Sequence, residues 1–344
     1  MIDLLRTVRG GGALDEAAAH RAMGAIMRGE ATDAQVAGLA MAMAVRGESV
    51  DELVGMARAA REAAAHVPFS GDDVLDTCGT GGDGHDTFNV STAAAVVVAA
   101  CGVRVAKHGN RSVSSACGSA DVLEELGVRI DLGPAAVARC LGLAGVTFLF
   151  APVFHGGFRH AAPARRELGV RTVFNLLGPL CNPARARFQV LGVPDPALAE
   201  PLAEVLRRLG VTRALVVHSL DGMDELSVAA PSDVVEIHGD AVRRYRLDPA
   251  GLGIARSRIA DLAGGDRARN AAIVRAVLAG ERGPRRDVVL LNAAAGLLVT
   301  GRAADWADGL RRAADAVDSG AAAARLDRWV QASVQAAEPE RRAS

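Results

Sequence analysis

The chain has 344 residues, half of them apolar and 23% charged, with 39 Lys+Arg against 40 Asp+Glu for a formal charge of −1. These values exclude a disordered or collagen-like chain and supply no global positive field for nonspecific nucleic-acid binding. At about 150 residues per domain the length predicts two domains, or one large domain with an appendage; the longest apolar run, 93–103, is about half the ~20 residues that cross a bilayer, so a cytoplasmic protein with no membrane contact is expected.

Residues 1 to about 66 read as helix, with Ala, Met and Leu at helical spacing and Gly29 and Gly47 at stop positions. Thr32 with Gln35 and Ser49 with Glu52 have capping-box spacing, which predicts helices over about 33–46 and 50–65. Their apolar stripes, Leu39 and Met43, Leu53 and Met56, call for cover from a second domain or a second subunit. From Pro68 the pattern changes to βα alternation: a strand at 74–76, a helix from about Val90, then strands at 103–105, 146–150, 188–191 and 214–218. The fold class predicted is α/β, a small all-helical part plus a larger α/β part whose mostly parallel central sheet is covered by helices. An antiparallel ribbon at 233–237 and 241–246 interrupts the alternation, and helices near 269–279, 286–299 and 303–335 follow. The tail beyond Gln335, ending at Ser344, is expected to fray. Five cysteines (Cys78, Cys101, Cys117, Cys140, Cys181), an odd number without C-x-x-C spacing, point to reduced, mostly buried thiols.

Four segments carry chemistry. Asp76 to Gly84 runs a strand into a glycine loop, followed by Thr87, Asn89, Ser91 and Thr92 at the start of an apolar helix. Glycines let backbone N–H groups approach an anion and the helix start adds free N–H groups, so this segment is built for phosphate. Gly79-x-Gly81-x-x-Gly84 also matches the dinucleotide fingerprint. The helix starts late for that motif, and the window for its ribose-binding acid holds Arg104, Lys107 and Asn110; an NADP-type dehydrogenase stays as the alternative. The second segment, Lys107 to Ser112 and then Ser114-Ser115 to Asp121, leaves a strand end. Lys107 offers a fixed positive charge there, and Ser119 a second anion site.

In the third segment, adjacent carboxylates Asp224 and Glu225 follow a buried strand, with Ser219 at its end. Mutual repulsion makes such a pair costly, and a hard cation such as Mg²⁺, sharing its shell with substrate phosphates, resolves it. The fourth segment holds His155-Gly156-Gly157-Phe158, Arg165-Arg166-Glu167 and Asn175 to Pro183. Gly178-Pro179 and Asn182-Pro183 predict turns at a hinge. Arg165 suits a carboxylate, and His155, Phe158 and Pro179 a flat wall for an aromatic ligand.

At these residues the chain resembles the anthranilate phosphoribosyltransferase family, tryptophan-pathway enzymes that join anthranilate to phosphoribosyl pyrophosphate. The likeness rests on Gly79-Thr-Gly-Gly-Asp83, Asn89-x-Ser91-Thr92, Lys107-His-Gly-Asn110, Gly118-Ser-Ala-Asp121, Arg165-Arg-Glu-Leu-Gly169, Phe174-Asn-Leu-Leu-Gly-Pro179 and Asp221-Gly-x-Asp224-Glu225, in family order over about residues 1–335. The resemblance implies a helical domain, 1–70 joined by helices from about 161–184, an α/β domain of 71–160 and 185–344, a site at the hinge, and a homodimer formed through the helical domain. It implies that Gly79, Gly82, Asp83, Thr87, Asn89, Ser91, Thr92, Lys107 and Ser119 hold phosphoribosyl pyrophosphate. Ser91, Asp224 and Glu225 would serve magnesium, two ions per site. Anthranilate would meet Gly79, His108, Asn110, His155, Phe158, Arg165, Gly178 and Pro179. His108, Lys107 and Arg165 are the implied catalytic set, acting by electrostatics and positioning without a covalent intermediate.

The implied products are N-(5-phosphoribosyl)anthranilate and pyrophosphate. Alternatives are a nucleoside phosphorylase of the same fold, transfer to a related aromatic acid, and a noncatalytic nucleic-acid-binding relative. Several positions depart from the usual family pattern: Gly156-Gly157 after His155, Cys181 for a common Thr, and Ser219 for a frequent Gly. Loss of the customary proline after His155 predicts a looser loop.

Overall fold

The structure, a computed structural model, describes residues 1–112 and 117–341. Ser114 and Ser115 of the second chemical segment, and the end of the tail from Arg342 to Ser344, lie outside the described residues. Four helices open the chain: α1 (Ile2–Arg9), α2 (Glu16–Met27), α3 (Asp33–Arg46) and α4 (Val50–Glu62). Both capping boxes form. Thr32 Oγ1 accepts from the Gln35 N–H at 3.3 Å while Gln35 Oε1 accepts from the Thr32 N–H at 3.1 Å; Ser49 and Glu52 repeat this at 3.2 and 2.8 Å. Glu52 does more than cap. Its fully buried carboxylate also accepts from the Leu14 N–H at 2.9 Å and pairs with Arg46, so one acid ties the turn before α2 to α3 and α4.

The α/β part follows as β1 (Val74–Gly79), α5 (Val90–Ala100), β2 (Arg104–Gly109), α6 (Ser119–Glu125), α7 (Pro134–Ala144), β3 (Val146–Phe150), α8 (Ala151–Phe154), α9 (Ala162–Leu168), α10 (Val173–Leu180), β4 (Phe188–Gly192), α11 (Ala199–Arg208) and β5 (Arg213–Ser219). The ribbon β6 (Ser232–His238) and β7 (Ala241–Leu247) precedes α12 (Arg267–Leu278), α13 (Pro284–Val299), α14 (Trp306–Asp318) and α15 (Ala321–Arg341). The sheet has seven strands in the order β3-β2-β1-β4-β5-β6-β7. β1 to β5 pair in parallel, and β6 and β7 are antiparallel. The chain winds outward from β1 to β3 and then restarts on the other side of β1 at β4. Such a reversal leaves a crevice at the carboxyl ends of the strands.

Two cores result. One joins β1–β3 to α5, α7 and the closing helices; the other joins α1–α4 to α10, α11 and one face of β4–β6. Leu39, Met43, Leu53 and Met56 are at most 1% exposed: α9 and α10 pack on α3, and α10 and α11 pack on α4. The stripes are therefore covered by the chain's own later helices. Three expectations need correction. Gly178-Pro179 lies inside α10 rather than in a turn; Pro179 is one residue from the helix end, where it forfeits a single intrahelical bond. The segment 303–335 is two helices, broken at Gly320 with φ +78°, and α15 continues past Gln335 to Arg341 instead of fraying there.

Glu52→Ala would leave the Arg46 guanidinium and two backbone N–H groups without their partner, a loss of roughly 3 kcal/mol. A chemical denaturation series should show it as a lower midpoint at unchanged slope; an unchanged midpoint would deny the buried acid its structural role.

Candidate active site

A cleft of about 940 Å³ opens at the carboxyl ends of β1 and β2, faced by residues from 151 to 181. Every residue that the resemblance assigns to a substrate, to magnesium or to catalysis lies on its wall. Gly79, Gly82, Asp83, Thr87, Asn89, Ser91, Thr92, Lys107, Ser119, Asp224 and Glu225 line one end; His108, Asn110, His155, Phe158, Arg165, Gly178 and Pro179 line the rest.

The first end is organised by carboxylates. Asp224 Oδ2 accepts from the Gly81 N–H at 2.7 Å, and Glu225 Oε1 from the Ser91 N–H at 3.0 Å. Asp224 packs so closely on Gly79 and Gly192 that a Cβ at either position would overlap it; only glycine lets the acid reach the strand ends. Removal from bulk water pushes the Asp224 carboxyl up to about 6, with Asp83 adding repulsion, and the Glu225 carboxyl up to about 8, with Asp224 adding to it. Glu225 Oε2 has no hydrogen-bond partner among the described residues.

Lys107 is buried at 2% exposure on β2 and donates to the Thr77 carbonyl and, at 3.0 Å, to Ser91 Oγ. Burial lowers its pKa, opposed first by the charge of Asp76 on the neighbouring strand. Asn89 serves the wall as well as the cleft: its Nδ2 donates to the Cys117 carbonyl at 3.1 Å and its Oδ1 accepts from Asn270 Nδ2 at 3.0 Å. Ser119 Oγ donates to the Asn110 carbonyl at 3.3 Å, joining the second segment's two halves. Two carboxylates, one bare oxygen and a serine hydroxyl make a hard, oxygen-rich corner suited to Mg²⁺. Among the described residues no group of three or more His, Cys, Asp or Glu can hold a metal by itself, so a cation there would need further oxygens from a substrate or water.

The other end is aromatic. His108 Nδ1 lies 3.1 Å from the Gly178 carbonyl and His155 Nε2 lies 2.8 Å from the Cys181 carbonyl. A carbonyl only accepts, so those nitrogens carry the protons, and His108 Nε2 and His155 Nδ1 are lone pairs with no partner among the described residues. The rings are 5.1 Å apart, and Phe158 meets His155 edge-on at 5.6 Å. Burial lowers His108 to about 3 and His155 to about 4. Arg165 lies over the Phe174 ring at 5.5 Å and has no ion-pair partner among the described residues. The predicted loosening after His155 is not what the structure holds. His155 is 3% exposed and bonded, and a Cβ at Gly157 would meet Met27 Cε at 2.7 Å, so that glycine admits a close contact with α2.

Three cleft residues or supports escaped the sequence reading. Asp76 is fully buried and accepts from the His108 N–H at 3.1 Å. Asn270 holds Asn89 from α12, and Arg171 donates to the Thr80 carbonyl at 3.2 Å. Asp76 alone had a local signal, a charge inside an apolar strand; the other two act over long sequence separations.

Family models match both parts of the chain. Residues 2–64 fit the helical bundle domain, and residues 71–323 the a/b domain, of a glycosyl transferase family. Among relatives, the chain is 69% identical to an anthranilate phosphoribosyltransferase 2 of Streptomyces coelicolor, over 94% of this chain and 97% of that one. It is 55% identical to the anthranilate phosphoribosyltransferase of Moorella thermoacetica, over 92% and 94%. Its fold matches the Thermus thermophilus enzyme of that name with a TM-score of 0.90 at 46% identity, covering 96% of this chain and 99% of that one. The Saccharomyces cerevisiae enzyme, solved with PRPP and Mg, matches with a TM-score of 0.89 at 25% identity over 97% and 98%. The chain belongs to this glycosyl transferase family, in its anthranilate phosphoribosyltransferase branch.

Because the folded pKa values of His108 and His155 lie below the ordinary value of about 6.5, their neutral forms contribute stability that is complete above pH 6.5 and is lost as pH falls toward 4. Nitrogen chemical shifts of the two imidazoles should report neutral, fixed tautomers down to about pH 5; a midpoint near 6.5 in both would contradict the geometry.

Proposed function

We propose that the chain transfers the phosphoribosyl group of phosphoribosyl pyrophosphate to the amine of anthranilate, releasing pyrophosphate. One observation carries this reading: a glycine loop over the Asp224-Glu225 pair and an aromatic pocket with His108, His155 and Arg165 share a single cleft. High identity to relatives named for that reaction supports it. Nucleoside phosphorolysis would leave Arg165 and the carboxylate pair without a task. The dinucleotide reading is disfavoured by α5, which opens only at Val90, beyond the glycine loop.

In this mechanism the glycine loop, Asn89, Ser91, Thr92, Lys107 and Ser119 hold the phosphoribosyl pyrophosphate, with Gly79, Gly82, Asp83 and Thr87 shaping the loop against it. Ser91, Asp224 and Glu225 hold magnesium, two ions per site, which when bound neutralises pyrophosphate oxygens and stabilises the charge developing on the leaving group. Lys107, fixed beneath Ser91, adds positive potential from below. Arg165 takes the anthranilate carboxylate while Phe158 and Pro179 flank the ring, with Gly79, Gly178 and Asn110 bordering it. The attacking amine is neutral, so it needs orientation rather than a strong base. His108 Nε2, without a protein partner, accepts its N–H, and His155 packs its ring beside it. A weak base suffices because the arylammonium formed on attack is itself acidic.

The two lobes divide the work in this reading. A helical domain of 1–70 with 161–184 supplies Arg165, Gly178 and Pro179 to the acceptor wall, and the α/β domain of 71–160 and 185–344 supplies the phosphate end together with His108, Asn110, His155 and Phe158. Association as a homodimer is proposed through α1 and α3, where Ile2 and Val45 are 59% and 79% exposed. The setting proposed is the cytoplasm, in the second step of tryptophan synthesis from chorismate.

Anthranilate fluorescence gives the test. Its loss should require both phosphoribosyl pyrophosphate and magnesium and should stop with EDTA; no loss under any condition would refute the assignment. The Asp224→Asn/Glu225→Gln double variant should lose about a hundredfold in kcat, whereas intact turnover with intact magnesium dependence would remove the metal from these residues.

A further inference from the structure

We propose that Arg171 is a pyrophosphate-binding residue, a guanidinium held over the glycine loop to receive the leaving group. The inference rests on the phosphoribosyl-transfer reading and adds a residue to it. Arg171 stands in the connection between α9 and α10, on the opposite lobe from the glycine loop, and lines the same cleft. Its Nη2 donates to the Thr80 carbonyl at 3.2 Å. Its Nη1 lies so near Gly82 that a Cβ there would overlap it, so glycine at 82 is what lets the cation approach. Unlike Arg111 or Arg208, each paired with two acids, it has no carboxylate within ion-pair distance among the described residues. Asp224 is close enough to feel its field.

A guanidinium has five N–H donors in a rigid plane, and one anchoring bond leaves a fork free for phosphate oxygens. The position fits the pyrophosphate because Thr80, Gly82 and Asp224 mark the loop and carboxylate end, whereas Arg165 over Phe174 occupies the aromatic end. A residue on the acceptor lobe that bonds the phosphate loop also makes pyrophosphate binding draw the two lobes together.

Calorimetric titration of inorganic pyrophosphate with magnesium into wild type, Arg171→Ala, Arg171→Gln and Arg171→Lys tests this without relying on turnover. Loss of a charge-assisted fork should weaken pyrophosphate about tenfold or more in Ala and Gln. The KM for phosphoribosyl pyrophosphate should rise in parallel, and the KM for anthranilate should stay within about twofold. Lysine should recover only part of the affinity, because an ammonium cannot keep the Thr80 anchor and present a fork together; added ethylguanidinium should restore Arg171→Ala. Unchanged pyrophosphate affinity in the folded Ala or Gln variant, or a rise confined to the anthranilate KM, overturns the proposal. If Ala fails to fold, Gln decides by the same titration. Wild type that binds pyrophosphate but never consumes anthranilate would instead refute the transferase reading and leave this titration decisive for Arg171.

Discussion

Asp224 and Glu225 sit side by side at the end of an apolar sheet, and the cost of holding two carboxylates there shapes the residues around them. The Gly81 and Ser91 N–H groups each spend a donor on one acid. Lys107 is drawn beneath Ser91, and Asp76 in turn compensates Lys107 on the adjacent strand. Gly79 and Gly192 have no side chain because the Asp224 backbone and carboxylate occupy that space. Even so, burial shifts both carboxyls upward, Glu225 further than Asp224. The fold thus carries a local electrostatic deficit of the kind that a bound cation relieves.

The acceptor end depends on a second constraint, the docking of the helical part on the α/β part. Arg61 of α4, partly buried, donates to the Leu180 carbonyl at 2.7 Å and the Leu209 carbonyl at 3.0 Å. Arg208 of α11 reaches Glu16 at 2.5 Å and Asp51 at 2.6 Å. The bonds to Leu209 and from Arg208 join the opening helices to α11, and the bond to Leu180 fixes the end of α10. That end supplies the Gly178 and Cys181 carbonyls, which choose the tautomers of His108 and His155. Lobe docking and proton placement are therefore one problem: a shift of α10 would release both histidines.

Much of this was legible from short-range rules. Thr32 and Ser49 announced their helices because a capping box is completed within four residues. The glycine loop and its following Asn89, Ser91 and Thr92 announced a phosphate end because backbone approach and helix N–H groups are local properties. Pro179 misled because proline marks a turn on average, while a tertiary neighbourhood that covers α10 tolerates it at a helix end.

What the chain alone determined was the order of elements, the parallel sheet with its closing ribbon, and the residue types gathered along the cleft. Tertiary structure decided which groups are free and which are spent. Arg171 bonds Thr80 across 91 residues and Asn270 bonds Asn89 across 181, and the bare nitrogens of His108 and His155 follow from carbonyls 70 and 26 residues away. Composition and periodicity record burial and local turn chemistry; hydrogen-bond directions and tautomers are set only when distant segments close on one another and each donor finds a single acceptor within reach.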